Sequence, residues 1–214
     1  MMELNKRFEG KRTLFLNYVI DLPNDYYLNC DKKFPVILFL HGIGERGNDV
    51  NLVKKFGIHR YMKDLDIPFV VISPQCHENN FWDVHFVDIE LLLKEIEKEY
   101  RIDVNRICLI GTSLGAYGAW NFAMQRPNMF KTIVSIAGGA MLPKYASSLK
   151  HMSIYIAHGE KDRSVDISES LVIADALKKE GADVTLDIVS DCGHELCTKI
   201  FEKEELYKWI ILNN

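Results

Sequence analysis

The chain has 214 residues, of which 48% are hydrophobic and 26% are charged, and its formal net charge is −4. This length and composition are typical of a folded globular protein and exclude an intrinsically disordered chain. The small negative charge gives no reason to expect a nucleic acid or an anionic membrane as a partner. The chain has no apolar run of membrane-spanning length and no signal-peptide core near its start, so we predict one cytoplasmic domain over residues 1–214.

Apolar segments that are predicted to be β-strands alternate along the chain with segments of helical periodicity. The strands are predicted at 13–22, 35–40, 69–73, 106–111, 132–138, 153–159 and 184–189. Most of these runs are apolar throughout, as expected of strands that are covered on both faces. Helices are predicted at 84–100, 114–125, 167–180 and 199–212. The alternation predicts an α/β fold with a mostly parallel central sheet and helices on both of its faces.

Three of the predicted helices carry signals for their buried face or their ends. In 84–100, apolar residues recur at helical spacing, namely Val84, Val87, Leu91, Leu92 and Ile96. Asp166 and Glu169 have the spacing of a capping box at the start of 167–180, and Gly181 is predicted to end that helix. The segment 199–212 is predicted to be one amphipathic helix that covers a face of the sheet.

Residues 111–115, Gly-Thr-Ser-Leu-Gly, join a predicted strand to a predicted helix and fit the pattern G-x-S-x-G. Such a turn holds a serine in a strained conformation at the end of a strand, and small flanking residues let the strand and the helix approach closely. The N-terminus of the following helix favours negative charge near the serine. We interpret Ser113 as a nucleophile; the alternative is a tight turn with only a structural role.

A serine nucleophile of this kind is followed along the chain by an acidic residue and then by a histidine. Asp162 lies just past the strand 153–159, and His194 lies in a predicted loop after the last strand. Both are therefore expected at the carboxyl edge of the sheet, together with Ser113. We predict that His194 accepts the Ser113 proton and that Asp162 orients the imidazole. The rival carboxylates for this last role are Glu160, Asp166, Asp187 and Asp191.

The segment 38–49 contains the predicted oxyanion-binding turn. It leaves the end of a buried strand at Gly42, so the chain turns sharply there and can direct the backbone N–H of Ile43 at a substrate carbonyl. The turn at Ser113 directs the N–H of Leu114 at the same oxygen. We predict that these two N–H groups form an oxyanion hole.

Three other residues of this turn carry side chains that could do chemistry. His41 could be a base or a metal ligand, but its place just before the turn favours a structural, hydrogen-bonded histidine. Glu45 and Arg46 are predicted to brace the loop through an ion pair or hydrogen bonds to the backbone. The alternative for these two is direct contact with the substrate.

Four residues are candidates for contacts with the substrate, namely Gly42, Trp82, Met141 and Leu142. Trp82 could form a wall of an acyl or aryl pocket, or it could anchor the next helix, which is the commoner role of an aromatic residue after a strand. Met141 and Leu142 lie in the segment 139–152, which is too short for a large lid domain. We therefore expect an open or shallow cleft rather than a site for long-chain fats.

The five cysteines follow no metal-binding or redox spacing, and they are predicted to be reduced thiols that partly fill the core. Cys192 and Cys197 flank His194, so their oxidation could affect activity. His59, His151 and His158 have no partners at metal-ligand spacing and are predicted to be surface or capping residues. The spacing of residues thus indicates no metal site.

Five motifs carry a family resemblance: PVILFLHGIGERG, VISPQC, DVNRICLIGTSLGAYGAWNFA, HGEKDRSV and GHEL. In this order they resemble the α/β-hydrolase superfamily, and they are most similar to small esterases and proposed peptidases related to phospholipase/carboxylesterases, feruloyl esterases and polyhydroxybutyrate depolymerases. The resemblance extends from about residue 12 to residue 211. It implies the α/β-hydrolase fold without a large lid domain, no cofactor, and these site residues: a triad of Ser113, Asp162 and His194 with oxyanion donors at Ile43 and Leu114. Relatives often carry Asp and an aromatic residue after the Gly-His pair, where this chain has Glu195 and Leu196.

The leading hypothesis is a serine hydrolase that cleaves small or moderate acyl or aryl esters through an acyl-enzyme, so its partner is a small-molecule ester. A peptidase or thioesterase with the same triad is the first alternative, because all three reactions pass through a tetrahedral oxyanion. A non-catalytic binding protein that retains the fold is the second. The sequence indicates neither the natural ester nor an oligomeric state.

Overall fold

The structure is a computed structural model, and it describes residues 2–9, 15–28, 30–62 and 65–214. The strands are β1 (Met2–Glu9), β2 (Phe15–Leu22), β3 (Phe34–Leu40), β4 (Val70–Pro74), β5 (Ile102–Thr112), β6 (Thr132–Ile136), β7 (Ser153–Gly159) and β8 (Asp183–Val189). They form an eight-stranded sheet in the order β1-β2-β4-β3-β5-β6-β7-β8. From β3 to β8 all pairs are parallel, whereas β2 is antiparallel to β1 and β4. The predicted mostly parallel sheet is confirmed.

The α-helices are α1 (Val53–Phe56), α2 (His59–Met62), α3 (Phe86–Glu99), α4 (Leu114–Gln125), α5 (Ser168–Lys179), α6 (Leu196–Phe201) and α7 (Glu204–Asn213). One hydrophobic cluster joins α3, α4 and α5 to one face of the sheet, and a second joins α2, α6 and α7 to the other. The described part of the chain contains no helix with the length and apolar composition of a bilayer span.

The central strand β3 explains why its sequence is apolar without interruption. Val36, Leu38 and Leu40 face the cluster that contains α3 to α5, while Ile37 and Phe39 face the opposite cluster. Successive side chains of a strand point to opposite faces, so a strand between two helical layers needs apolar residues at every position. All seven residues of β3 are buried.

The N-terminal third of the chain contains elements that the sequence pattern does not predict. The predicted strand 13–22 corresponds to β2, and residues 13–14 lie outside the described residues. β1 reads MELNKRFE and has no apolar run, as an edge strand permits. α1 and α2 have four residues each, which is too short for a helical period to be recognised.

The predicted buried face of α3 is confirmed at Leu92 and Ile96 and is wrong at its start. Val84 precedes the helix in a 3-10 turn and is 51% exposed, and Val87 is 43% exposed. The buried apolar residues of α3 are Phe86, Ile89, Leu92, Leu93 and Ile96. The 3-10 turn has three residues per turn, so the α-helical period does not apply to Val84.

Helix ends were predicted with mixed success. The capping box at Asp166 is wrong, because its carboxylate accepts the N–H of Ser168 at 2.9 Å and α5 begins at Ser168. Gly181 follows α5 with φ of 81°, as predicted for a residue that ends a helix. The tail forms α6 and α7 rather than one helix, although both cover a sheet face as predicted.

The parallel strands bring three connections to one edge of the sheet. These follow β3, β5 and β7, and they contain residues 41–46, residue 113 and residues 160–165. Between β6 and β7, residues 137–152 form one 3-10 helix (Pro143–Leu149) with connecting turns, as the prediction of no large lid domain requires. The carboxyl edge of the sheet is where sites form in such folds.

Candidate active site

Ser113 lies between β5 and α4 in a backbone conformation that non-glycine residues rarely adopt. Its φ is 52° and its ψ is −117°, and its N–H donates to the carbonyl of Ile136 at 2.9 Å. A residue held in such a region costs about 1–3 kcal/mol and persists only where its surroundings enforce it. The strained turn predicted from G-x-S-x-G is therefore present at Ser113.

The glycines on either side of Ser113 are required by close packing. A Cβ atom on Gly111 would lie 2.2 Å from the carbonyl oxygen of Gly115, and one on Gly115 would lie 1.9 Å from the carbonyl oxygen of Leu40. Both distances are far shorter than a van der Waals contact. The helix α4 can therefore start directly against β5 and β3 only because these two side chains are absent.

His194 connects Ser113 to Asp162 through two hydrogen bonds. Nε2 of His194 lies 2.9 Å from Oγ of Ser113, and Nδ1 lies 2.7 Å from Oδ2 of Asp162. Because a carboxylate only accepts hydrogen bonds, Nδ1 carries the proton, and Nε2 of the neutral ring is left to accept from Ser113. We call Ser113, His194 and Asp162 the rim trio, because they lie at the carboxyl edge of the sheet.

The side chain of Asp162 is inaccessible to solvent and is held as an ionised carboxylate. Burial acts to raise its pKa, but hydrogen bonds from the N–H of Val165, from His194 and from the N–H of Ser164 outweigh burial and lower the pKa. The two backbone donors bind Oδ1 at 3.0 and 2.8 Å, which leaves Oδ2 for His194. An ionised carboxylate at this position favours a positive charge on His194.

The rival carboxylates are engaged elsewhere in the structure. Asp187 accepts the hydroxyl of Tyr155 at 2.7 Å, and Asp191 pairs with Lys161. The carboxylate of Asp166 accepts a backbone N–H in its own turn, and that of Glu160 accepts the N–H of Asp191 at 3.4 Å. The contact with His194 is made by Asp162.

His158 is a buried residue that supports the Asp162 loop. Its Nε2 donates to the carbonyl of Val165 at 3.0 Å and lies 3.5 Å from Oδ2 of Asp162, while its Nδ1 lies 2.7 Å from Oγ of Ser170. The predicted surface or capping role is thus wrong for His158. The signal in the sequence is its place at the end of a mostly apolar strand, where a side chain has little access to water.

The turn after β3 forms a 3-10 helix, Ile43–Glu45, whose N-cap residue is Gly42. The carboxylate of Glu45 accepts the N–H of Gly42 at 2.9 Å. The side-chain amide of Gln75 donates to the carbonyl of Glu45 at 2.9 Å, and Arg46 donates to the carbonyl of Ile43 at 3.3 Å. Glu45 and Arg46 thus make the backbone hydrogen bonds of the bracing role, without an ion pair between them among the described contacts.

His41 is a buried, hydrogen-bonded residue, as the structural alternative predicts. Its Nε2 accepts the N–H of Cys76 at 2.9 Å, so Nδ1 carries the proton and donates to the carbonyl of Gly42 at 2.7 Å. Burial lowers the pKa of His41 to about 4, so the ring is neutral near pH 7. The role of base or metal ligand does not fit a ring whose two nitrogens are both used in this way.

A small cavity adjoins the rim trio. Its volume is about 170 Å³, and it is lined by Gly42, Ile43, Gly44, Glu45, Thr112, Ser113, Ala137, His194 and Cys197. It therefore lies between the turn after β3 and the loop before α6, with the serine hydroxyl and the imidazole on its wall. Cys192 is buried, whereas Cys197 is partly exposed and contributes to this wall.

The candidates for substrate contact lie in different surroundings. Trp82 is 1% exposed, its ring packs where a side chain on Gly118 would stand, and its indole N–H donates to the carbonyl of His41 at 3.1 Å. The anchoring alternative fits Trp82, and the pocket wall does not. Met141 and Leu142 are 66% and 47% exposed and line a separate cavity of about 550 Å³.

A second group of the same three residue types lies inside the protein. Nε2 of His59 lies 2.6 Å from Oγ of Ser73, and Nδ1 of His59 is hydrogen-bonded to the carboxylate of Asp21. The three residues are 0–3% exposed and come from α2, β4 and β2. We call Asp21, His59 and Ser73 the inner trio. The prediction of a surface or capping role for His59 is therefore wrong.

No described part of the chain brings together three or more His, Cys, Asp or Glu side chains in an arrangement that could hold a metal ion. His151 is exposed and lies 2.8 Å from the carbonyl of Pro127. The polar groups near Ser113 are the N–H groups and side chains already described. The hydrogen bond between Ser113 and His194 gives this set a path for proton transfer.

Comparison with known proteins identifies relatives of the chain. The family model described as phospholipase/carboxylesterase matches residues 67–210. Esterase YpfH of Escherichia coli (strain K12) is 33% identical over 101 residues, which are 47% of this chain and 43% of that protein. The chain thus spans less than half of this curated relative.

Two solved structures are similar over nearly the whole chain. A thermostable esterase is 26% identical with a TM-score of 0.89, and the match covers 98% of this chain and 62% of that one. A ferulic acid esterase is 18% identical with a TM-score of 0.78, and the match covers 98% of both chains. At this identity the second likeness concerns the fold alone.

Proposed function

Because this chain belongs to the phospholipase/carboxylesterase family and has the α/β-hydrolase fold, we propose that it is a serine esterase in which the rim trio is the catalytic triad. The observation that carries the proposal is the continuous chain of hydrogen bonds from Ser113 through His194 to Asp162. It ends at a strained serine beside a cavity, where a substrate carbonyl can reach the hydroxyl. Family membership supports ester hydrolysis as the reaction.

In the first half of the proposed reaction, Oγ of Ser113 attacks the carbonyl carbon of the ester while its proton moves to Nε2 of His194. The imidazolium keeps its Nδ1–H on the carboxylate of Asp162, which stabilises the positive charge. The tetrahedral intermediate then collapses, the bond to the leaving oxygen breaks, and Nε2 returns the proton to that oxygen. The alcohol departs and an acyl-Ser113 ester remains.

In the second half, a water molecule attacks the acyl-Ser113 carbonyl and gives its proton to Nε2 of His194. Collapse of the second tetrahedral intermediate breaks the bond to Oγ, and His194 returns the proton to Ser113. The products are a carboxylic acid and the free serine hydroxyl. The reaction needs only water and the ester.

The negative oxygen of both intermediates is proposed to bind the backbone N–H groups of Ile43 and Leu114. Leu114 is the first residue of α4, so its N–H belongs to the helix end where the partial charge is positive. Ile43 begins the 3-10 turn and lines the same cavity as Ser113. One such donor typically lowers the barrier by about 3–4 kcal/mol.

The cavity beside Ser113 supports a short acyl group. Its volume of about 170 Å³ is below the roughly 300 Å³ at which pockets for drug-sized ligands begin. Glu45 and Thr112 are among the residues that line it. We propose that the acyl group of the substrate has few carbon atoms.

The leaving alcohol is proposed to extend from Ser113 towards Tyr117 of α4. Tyr117 stands about 6 Å further along the α4 axis than Ser113, since each helical residue rises about 1.5 Å. Together with Ala140 and Met141 it lines a cavity of about 460 Å³. This volume suits a larger leaving group, including an aryl alcohol.

The test is a burst experiment with p-nitrophenyl acetate, on the wild-type protein and on Ser113→Ala. We expect the wild type to release p-nitrophenol in a burst that equals the enzyme concentration, and Ser113→Ala to show neither burst nor labelling by a fluorophosphonate probe. Ser73→Ala, from the inner trio, is the matched control and should keep the burst. Equal turnover by Ser113→Ala would refute the proposal.

A substrate panel tests the reaction class and the acyl length. It compares kcat/KM for acetate, butyrate, octanoate and hydroxycinnamate esters, an acyl-CoA thioester and an aminoacyl amide. We expect the short acyl esters to rank first. A thioester or amide in first place would replace esterase by thioesterase or peptidase on the same triad.

A further inference from the structure

The carboxyl group of Glu45 is buried in the wall of the cavity beside Ser113. Glu45 is 5% exposed, and its Oε2 accepts the N–H of Gly42 at 2.9 Å. Its Oε1 is buried and has no hydrogen-bond partner within the described part of the chain. A buried charge with one partner is costly, so the uncharged acid is the favoured form. Burial correspondingly raises the pKa of Glu45 to about 8.

The groups around Glu45 do not supply a compensating positive charge. Cys197 of α6 and His194 of the loop before it line the same cavity. On its own turn, the Arg46 guanidinium donates to the carbonyls of Ile43 and Asn80. On the β3 side His41 is neutral, and from the segment after β4 the Gln75 amide reaches the Glu45 backbone carbonyl. Thr112 and Ser113, from β5 and the start of α4, carry no charge.

The two peptide groups that flank Gly42 are held by side chains. In the peptide before it, the carbonyl of His41 accepts the indole N–H of Trp82, and the N–H of Gly42 donates to Glu45. In the peptide after it, the carbonyl of Gly42 accepts Nδ1–H of His41. The N–H of Ile43 belongs to this second peptide, and in a trans peptide it points away from the carbonyl. The direction of the Ile43 N–H is therefore set by the groups that hold Gly42.

We propose that Glu45 is a positioning residue, an uncharged carboxylic acid that fixes the Gly42–Ile43 turn so that the Ile43 N–H can bind the oxyanion. The inference rests on the proposed function, because it concerns the oxyanion of that reaction. Glu45 acts through the backbone and does not touch the reacting atoms. The uncharged form matters because an ionised carboxylate in this cavity would repel the negative oxygen that forms there.

The test is the pH dependence of kcat and KM for p-nitrophenyl acetate in Glu45→Gln and Glu45→Ala. Gln has the same shape, keeps an oxygen that can accept the Gly42 N–H, and cannot ionise. We expect Glu45→Gln to keep kcat within about 3-fold of the wild type at pH 7. We expect it also to remove a fall in wild-type kcat that sets in near pH 8. Glu45→Ala should lower kcat by about 10- to 100-fold at pH 7 with a change in KM of less than about 3-fold.

Two controls show whether a loss of activity comes from a misplaced Ile43 N–H or from misfolding. A third variant, Ser113→Ala, tests the proposed function separately. Glu78→Gln, at an exposed carboxyl, should leave the pH profile unchanged, and thermal unfolding of each variant checks that it is folded. Identical alkaline limbs in wild type and Glu45→Gln, or a kcat of Glu45→Ala within about 2-fold of wild type, would overturn the inference alone. Turnover by Ser113→Ala in the same assay would instead overturn the proposed function.

Discussion

The rim trio and the inner trio contain the same three residue types at similar distances, yet they differ in backbone conformation and in access to solvent. His194 lies 2.9 Å from Ser113, and His59 lies 2.6 Å from Ser73. In each group the other ring nitrogen is bonded to an aspartate. Hydrogen-bond geometry alone would therefore identify two triads in this protein.

The difference lies in the backbone and in access to solvent. Ser113 stands in a strained turn before α4 and lines a cavity, and 32% of the His194 side chain is exposed. Ser73 is fully buried within β4, where it is paired in register with Val19 of β2. A serine becomes a candidate nucleophile when a carbonyl carbon can reach it and N–H groups can face the resulting oxyanion.

The largest expected effect is the loss of kcat when the histidine of each trio is replaced by alanine. Replacing His194 with Ala removes the proposed base, so kcat for p-nitrophenyl acetate should fall by about 10⁴-fold or more. Replacing His59 with Ala should change kcat by less than about 3-fold per folded molecule, because the inner trio has no contact with substrate. The measurement is kcat normalised to the folded fraction, and equal losses in the two variants would erase the distinction.

The same two substitutions should have the opposite order of effect on stability. His59→Ala leaves the carboxylate of Asp21, which is 3% exposed, without its imidazole partner. Breaking a buried pair in this way typically lowers the free energy of unfolding by about 3–5 kcal/mol. His194→Ala should lower it less, because His194 is partly exposed and Asp162 keeps the N–H groups of Ser164 and Val165. Urea unfolding at pH 7 measures both values, and a stable His59→Ala variant would contradict a structural role for the inner trio.

The two trios also differ in how far the sequence predicts them. Ser113, Asp162 and His194 were recognisable because the Gly-flanked turn is a local signal and the other two follow strand ends in a characteristic order. Asp21, His59 and Ser73 carry no such signal. His59 lies on a four-residue helix that the periodicity does not indicate, and its partners are 38 and 14 residues away. Only the packing of α2 on β2 and β4 brings them together.

Elements of the fold were likewise predicted where the signal lies within one segment, and missed where they depend on contacts with distant residues. The boundaries of α4 were predicted without error, because a run of small and apolar residues begins and ends within one segment. β1 was missed because its pairing with β2, and not its composition, makes it a strand. The burial of the Glu45 carboxyl could not be predicted either, since its turn packs against residues distant in the sequence, such as Gln75, whose amide donates to the Glu45 carbonyl.

A third, smaller effect tests whether the rim trio holds an ionised carboxylate. The pKa of Asp162 is lower in the folded protein than in the unfolded chain. Its ionised form therefore stabilises the fold above the ordinary pKa near 4, and this stability is lost as the pH falls through the lower, folded-state pKa. The wild type should lose more unfolding free energy between pH 6 and pH 3 than Asp162→Asn does.

Urea midpoints at pH 6 and pH 3 measure this difference. Asp191→Asn, at a side chain that is 79% exposed, is the control and should behave as the wild type does. Parallel losses in Asp162→Asn and the wild type would mean that the carboxyl gains no stability from its ionisation. The electrostatic support for a charged His194 would then be absent.

The smallest expected effect is on the free energy of unfolding when either serine is replaced by glycine. Its sign should be opposite at Ser113 and at Ser73. Ser113 has φ of 52°, which glycine adopts without strain, so Ser113→Gly should abolish turnover and raise the free energy of unfolding by about 1 kcal/mol. Ser73 lies in a regular strand, where glycine is unfavourable and the loss of Oγ leaves Nε2 of His59 without its partner. Ser73→Gly should therefore lower that free energy by about 1–3 kcal/mol. If Ser113→Gly also destabilised the protein, the strain at Ser113 would be offset by contacts of its hydroxyl, and the backbone would no longer distinguish the two trios.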